Sequence, residues 1–139
     1  MVGIEIMRQT CKKLIPTALV SLLCAIAATP AFANPIAINP NQNPTLSGLS
    51  GGNVKTPDCG FIAGGPNHTL QITEQIDSMQ IRVEAMGGNP TLLIVGPDAD
   101  ERHCAADRPE MPGLWLPGDY NVYVGDLNGE QHSYQIYFE

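Results

Sequence analysis

Positive charge is almost missing from this chain once its first 13 residues are passed. Only Lys55, Arg82, Arg102 and Arg108 follow, against thirteen acidic residues, so four minus thirteen gives −9 with histidines neutral. Phosphate backbones are held by clusters of Lys and Arg, and this balance excludes nucleic acid as a partner. Helical periodicity is missing too: no segment sustains apolar residues at i, i+3, i+4 and i+7. No cysteine has a C-x-x-C partner, and His68, His103 and His132 lack the i, i+4 spacing of a legible zinc site. No internal repeat recurs.

Long apolar runs are confined to the N-terminus. Arg8, Lys12 and Lys13 precede Leu14 to Ala28, a run broken only by Pro16, Thr17 and Ser21, and Ala31-Phe32-Ala33 follows. Charge, apolar run and A-x-A make a secretory signal over residues 1–33, removed by cleavage before Asn34. The run is shorter than the roughly 20 residues a membrane anchor needs, so no stable membrane insertion is expected after cleavage. The expected location is the periplasm or the exterior.

Cleavage halves the cysteine count, because Cys11 and Cys24 leave with the signal. Cys59 and Cys104 remain as an even pair in an oxidising compartment, which favours a disulfide. Closing a loop of that length contributes up to about 4 kcal/mol in the chain-entropy model. The rival roles are metal ligand and reactive thiol.

What remains is one domain's worth of chain. Residues 34–58 are rich in Asn, Pro, Gly and Ser and read as a flexible leader, of which Thr45 to Leu49 could lie along the domain as an edge strand. From Cys59 the pattern has period two. Leu70 and Ile72, then Met79, Ile81, Val83 and Ala85, then Tyr120, Val122 and Val124, then Tyr134, Ile136 and Phe138 alternate with polar residues. Thr91 to Val95 is continuously apolar and reads as a strand covered on both faces. Short strands between Gly/Pro/Asn/Asp turns predict an all-β, antiparallel sandwich or barrel. Leu116-Pro117-Gly118-Asp119 fits a type II turn. A three-residue loop, Leu127-Asn128-Gly129, would pair Val122 with Tyr134 and Tyr120 with Ile136 and put Gly129 in the left-handed region.

Three segments carry a family resemblance: CGFIAGGPNHTLQIT from Cys59, SMQIRVEAMGGNPTLLIVGPDADERHCAAD from Ser78, and GLWLPGDYNVYVGDLNGEQHSYQIYF from Gly113. The chain from Cys59 to Glu139 resembles the bacterial pre-peptidase C-terminal domain in a short stand-alone form. The resemblance implies a jelly-roll-like β-sandwich and an accessory or binding role without catalysis. Where related sequences follow the cysteine with two adjacent acids, this one has Cys104-Ala105-Ala106-Asp107-Arg108, a departure at the position of any cation site.

Among candidate sites, Gly48-Leu49-Ser50-Gly51-Gly52 matches G-x-S-x-G but sits in the leader with no helix after it. Asp98, Asp100, Glu101 and Asp107 cluster in one stretch, and Asp98, Asp100 and Asp107 could hold calcium weakly through carboxylate oxygens, or the cluster could be a solvated acidic loop. Trp115 and Tyr123 alternate out of phase with their apolar neighbours and could form an exposed aromatic surface, or could cover a sheet edge. Asn67-His68-Thr69 reads as a strand-entry turn. The expectation is a non-enzymatic envelope module with no cofactor other than calcium, binding an unknown envelope protein or polysaccharide. A carbohydrate-binding module and a calcium-stabilised structural domain are the alternatives.

Overall fold

The computed structural model describes residues 34–98 and 100–139. The expected signal peptide, with Cys11 and Cys24, lies outside the described residues. Eleven strands and no helix occupy what is described: β1 (Ile36–Ile38), β2 (Leu46–Leu49), β3 (Val54–Lys55), β4 (Phe61–Ile62), β5 (His68–Ile72), β6 (Ile76–Ala85), β7 (Pro90–Val95), β8 (Arg102–Ala105), β9 (Glu110–Trp115), β10 (Gly118–Asp126) and β11 (Ser133–Phe138). They form two sheets. In the first, β10 is central: β7 lies on one side with β8 beyond it, and β5 and β4 share the other side, flanked by β1 and β3. The second has the order β2-β11-β6-β9.

The alternation read from the sequence explains the core. Leu70, Ile72, Leu92, Ile94, Tyr120, Val122 and Val124 of the first sheet meet Met79, Ile81, Val83, Tyr134, Ile136 and Phe138 of the second, all buried. Leu93, between Leu92 and Ile94, is buried on the other face of β7 with Cys59 and Ile62. The continuous apolar run is thus covered on both faces, as its sequence requires. The second cover is supplied by the Cys59–Cys104 disulfide, whose Cα atoms are 5.7 Å apart, and by Thr91 Oγ1 donating to Cys59 O at 2.8 Å. Arg102 adds a two-pronged ion pair to Asp58, 2.6 and 2.8 Å, between the same two segments.

Three expectations are corrected. The leader is part of the fold: β1 pairs β5 and Ile38 is fully buried, while β2 pairs β11 as the edge strand that Thr45 to Leu49 was read as able to form. Burying one isoleucine contributes roughly 1.5–3 kcal/mol, which offsets the ordering of one or two residues. The β1–β5 ladder then helps to hold a segment whose composition alone suggests freedom. That ladder is parallel, so the sheets are not wholly antiparallel.

The expected β10–β11 hairpin does not form. Val122 pairs with Ile94 and His68, while Tyr134 pairs with Ala85 and Gly48 in the other sheet. The turn itself is present, with Gly129 at φ +77° and its N–H donating to Asp126 O at 3.2 Å. Residues 130–132 then carry the chain across to the second sheet. Period two says which face of a strand is buried, and both sheets bury their inner face, so a hairpin and a crossover look alike in sequence.

Candidate functional site

The two expected aromatic residues lie on different surfaces. Trp115 pairs with Ile76 on the inner face of the second sheet, only 5% exposed, with its indole N–H donating to Met79 O at 2.9 Å. Its ring meets Tyr120 edge-on at 5.3 Å, and the Tyr120 hydroxyl donates to Leu116 O at 3.0 Å. Tyr123 pairs with Leu93 and packs with the disulfide cluster on the outer face of the first sheet. The phase of β9 is therefore the reverse of the expected one: Trp115 faces the core while Leu114 and Leu116 are more than half exposed. Alternation gives two faces without saying which is inside, and the larger apolar ring gains more by burial.

The acids expected to share calcium are also separated. Asp98 and Asp100 lie in the turn before β8, and Asp107 lies after it, on the far side of a four-residue strand about 13 Å long. Among the described residues, no group of three or more His, Cys, Asp or Glu side chains converges on a metal-sized site.

The opposite end of β10 holds a cluster that sequence reasoning passed over. Asp126 is fully buried, and its carboxylate accepts three backbone N–H bonds: Asn89 at 2.8 Å, Asn128 at 2.7 Å and Glu130 at 3.1 Å. Ser50, also fully buried, exchanges bonds with residue 132: its N–H donates to His132 O at 2.9 Å, and its Oγ accepts His132 N–H at 3.1 Å. Serine, histidine and aspartate thus converge, but not as a triad. The hydroxyl bonds a backbone amide rather than the imidazole, and the carboxylate orders two loops, the one before β7 and the one after β10. A signal existed in Asp126-Leu127-Asn128-Gly129, where an aspartate caps its own turn. Nothing local announced Asn89 as a partner.

His68 of β5 is hydrogen-bonded through Nε2 to Tyr134 Oη of β11 at 2.8 Å, linking the two sheets. Burial pulls the His68 imidazole below its ordinary value and pushes the Tyr134 phenol up to about 12, an Asn67 bond opposing the latter. Asn67 is itself occupied, its Oδ1 accepting Val124 N–H at 3.0 Å and its Nδ2 donating to Leu49 O at 3.3 Å. The Asn67 sequence pattern marks a strand entry, as expected.

A cleft opens at the flank where the two sheets part. There β8 and β9 are edge strands of different sheets. His103 pairs with Ile94 and Met111 with Ile81, so both sit on inward faces that the opposite sheet does not reach far enough to cover. Between them is a cleft of about 180 Å³ lined by Glu101, His103, Met111, Gly113, Leu114 and Trp115. Gly113 pairs with buried Met79, and a Cβ at Gly113 would meet no heavy atom within 4 Å. A side chain is missing from an inward position, and the space it would fill is the cleft.

No family model matches the chain. The structure is similar to the pre-peptidase C-terminal domain of a collagenase from Bacillus anthracis, with 19% identity, a TM-score of 0.53, and coverage of 80% of this chain and 98% of that one. It also matches PliG of Aeromonas hydrophila, a periplasmic inhibitor of g-type lysozyme, at 15% identity and a TM-score of 0.48, over 75% of this chain and 93% of that one. The first likeness bears out the pre-peptidase C-terminal-like, two-sheet all-β fold that the sequence resemblance implies. In sequence, 127 residues are 39% identical to an uncharacterized protein of Synechococcus elongatus, spanning 84% of this chain and 92% of that protein. The chain therefore belongs to the family of that Synechococcus elongatus protein, and its fold is that of a pre-peptidase C-terminal-like domain.

Proposed function

We propose that this protein is a non-catalytic accessory module that works in the periplasm or outside the cell and binds a partner at the envelope. The observation that carries the reading is the commitment of its best catalytic-type side chains to scaffolding. The buried Ser50 hydroxyl and Asp126 carboxylate hold backbone amides, and the two described cysteines are joined. The cleft between β8 and β9 offers a place for contact with a partner. The disulfide and the signal-like sequence over residues 1–33 support export to an oxidising compartment. The sugar-platform alternative needs Trp115 and Tyr123 on one exposed face, and their placement removes its support.

The test is a photo-crosslinking residue introduced at Leu114 and activated in cells. A discrete adduct, with no turnover of peptide, ester or glycoside substrates by the purified protein, is the expected result. Turnover that disappears with Ser50→Ala or His132→Ala would reverse the reading.

A further inference from the structure

The cleft has a size, a charge and a texture that together select an occupant. Its volume of about 180 Å³ falls below the roughly 300 Å³ at which pockets begin to hold whole small molecules. One long side chain of a partner fits that space better than a free ligand. The β8 side supplies Glu101, the one acidic residue of the lining, and His103, and the β9 side supplies Met111, Leu114 and Trp115.

No lysine or arginine lines it. Arg102, the nearest along β8, pairs with Val95 on the outer face and is held by Asp58. Arg108 is largely exposed, 3.9 Å from Glu110. Asp98 and Asp100 stand at the Glu101 end, and Glu101 N–H donates to Asp98 O at 3.0 Å, which fixes the turn that carries the carboxylate. The formal charge of −9 over residues 34–139 draws cations toward this surface from a distance. An apolar stem ending in a positive head is the shape of a lysine or arginine side chain.

We infer that the β8–β9 cleft recognises a lysine or arginine side chain presented by a basic polypeptide, an inference that rests on the accessory-module reading above. Leu114, which lines the cleft and is 57% accessible, would cover the partner's neighbouring residues.

Trp115 is the single tryptophan, so its emission reports on the cleft. The probe is the peptide acetyl-(Lys-Gly)5-amide, titrated into the purified protein at low ionic strength beside acetyl-(Glu-Gly)5-amide. Saturable binding of the lysine peptide alone is expected. Glu101→Gln should weaken it at least tenfold, and Gly113→Val, which fills the cleft, should abolish it. Because the Cβ at Gly113 meets nothing and that glycine does not need positive φ, the valine variant should melt at or above the parent temperature. Asp107→Asn, an exposed acid beyond β8, should change binding less than twofold.

Equal weakening by Asp107→Asn and Glu101→Gln would mean diffuse charge attraction and overturn the inference. Unchanged binding in Gly113→Val, or no saturable response in the parent, would overturn it as well. Should the valine variant not fold, Glu101→Gln against Asp107→Asn decides alone. A Leu114 adduct to a neutral or acidic partner would sink the cationic occupant while leaving the accessory module standing.

Discussion

Two acidic regions lie at opposite ends of β10, and they use the same carboxylate chemistry differently. At one end Asp98 and Asp100 stand in a turn that β8 keeps apart from Asp107. At the other, a single aspartate, Asp126, is fully buried and bonded to three backbone amides from three loop positions. The crowded acids look like a site in sequence and are spread apart in space. The isolated acid looks like a turn residue and organises an entire end of the sandwich. A buried carboxylate must be satisfied or its desolvation goes uncompensated, so local density of acids says less about importance than what each acid can reach.

The largest expected effect cuts across this contrast. Replacing Cys59 and Cys104 with serine should cost 2 to 4 kcal/mol, about 4 being the chain-entropy ceiling, as read by urea denaturation. It would show that the acidic-turn side owes its order to the covalent clasp rather than to its acids.

Next is Gly88→Ala at the other end. Gly88 has φ +71°, and a Cβ there would lie 2.5 Å from Asp126 Oδ2. Left-handed strain and displacement of the carboxylate from Asn89 N–H should together cost about 2 kcal/mol or more. A thermal midpoint unchanged from the parent would break the contrast.

A pH scan sharpens it. The folded His68 value is lowered below 6.5 by burial, so the unfolded chain binds the proton more readily. Stability is fully present above about 6.5 and falls as pH drops through that value toward the folded one. At the alkaline side, the Tyr134 value of about 12 against an ordinary 10.0 means stability falls as pH rises from 10 toward 12. In His68→Gln the slope assigned to His68 below pH 6.5 should disappear, as read by urea midpoints across pH.

The smallest effect belongs to the acidic turn. Melting in millimolar calcium and in excess EDTA should agree within about 0.5 kcal/mol, the range of an exposed surface change away from any structural feature. A calcium-dependent rise would restore the site that β8 divides.

Much of the fold was legible because burial imposes period two on any half-covered strand. β5, β6, β7, β10 and β11 follow from alternation or from a continuous apolar run, and the disulfide follows from cysteine count and compartment. β8 and β9 were not legible. Arg102-His103-Cys104-Ala105 carries no alternation, and Glu110–Trp115 contains Pro112 and Gly113, which weaken a strand signal and are tolerated at an edge. The candidate cleft lies between these two strands, so it was hidden for the same reason. Trp115 and His103 stood out singly in the sequence, but only the sheets bring them together on facing edges with Met111 and Gly113. Ser50 and His132, 82 positions apart, meet where the β2–β11 ladder continues past its named ends, and His68 and Tyr134, 66 apart, meet across the two sheets; no local pattern records either.

Urea denaturation of Asp126→Asn beside Asp98→Asn tests the contrast between the two ends most directly. Asparagine keeps one oxygen acceptor but loses the charge and sets an amide donor against backbone N–H groups. Asp126→Asn should lose about 2 to 3 kcal/mol, while Asp98→Asn stays within about 0.5 kcal/mol of the parent. Equal losses, or a larger loss for Asp98→Asn, would contradict it.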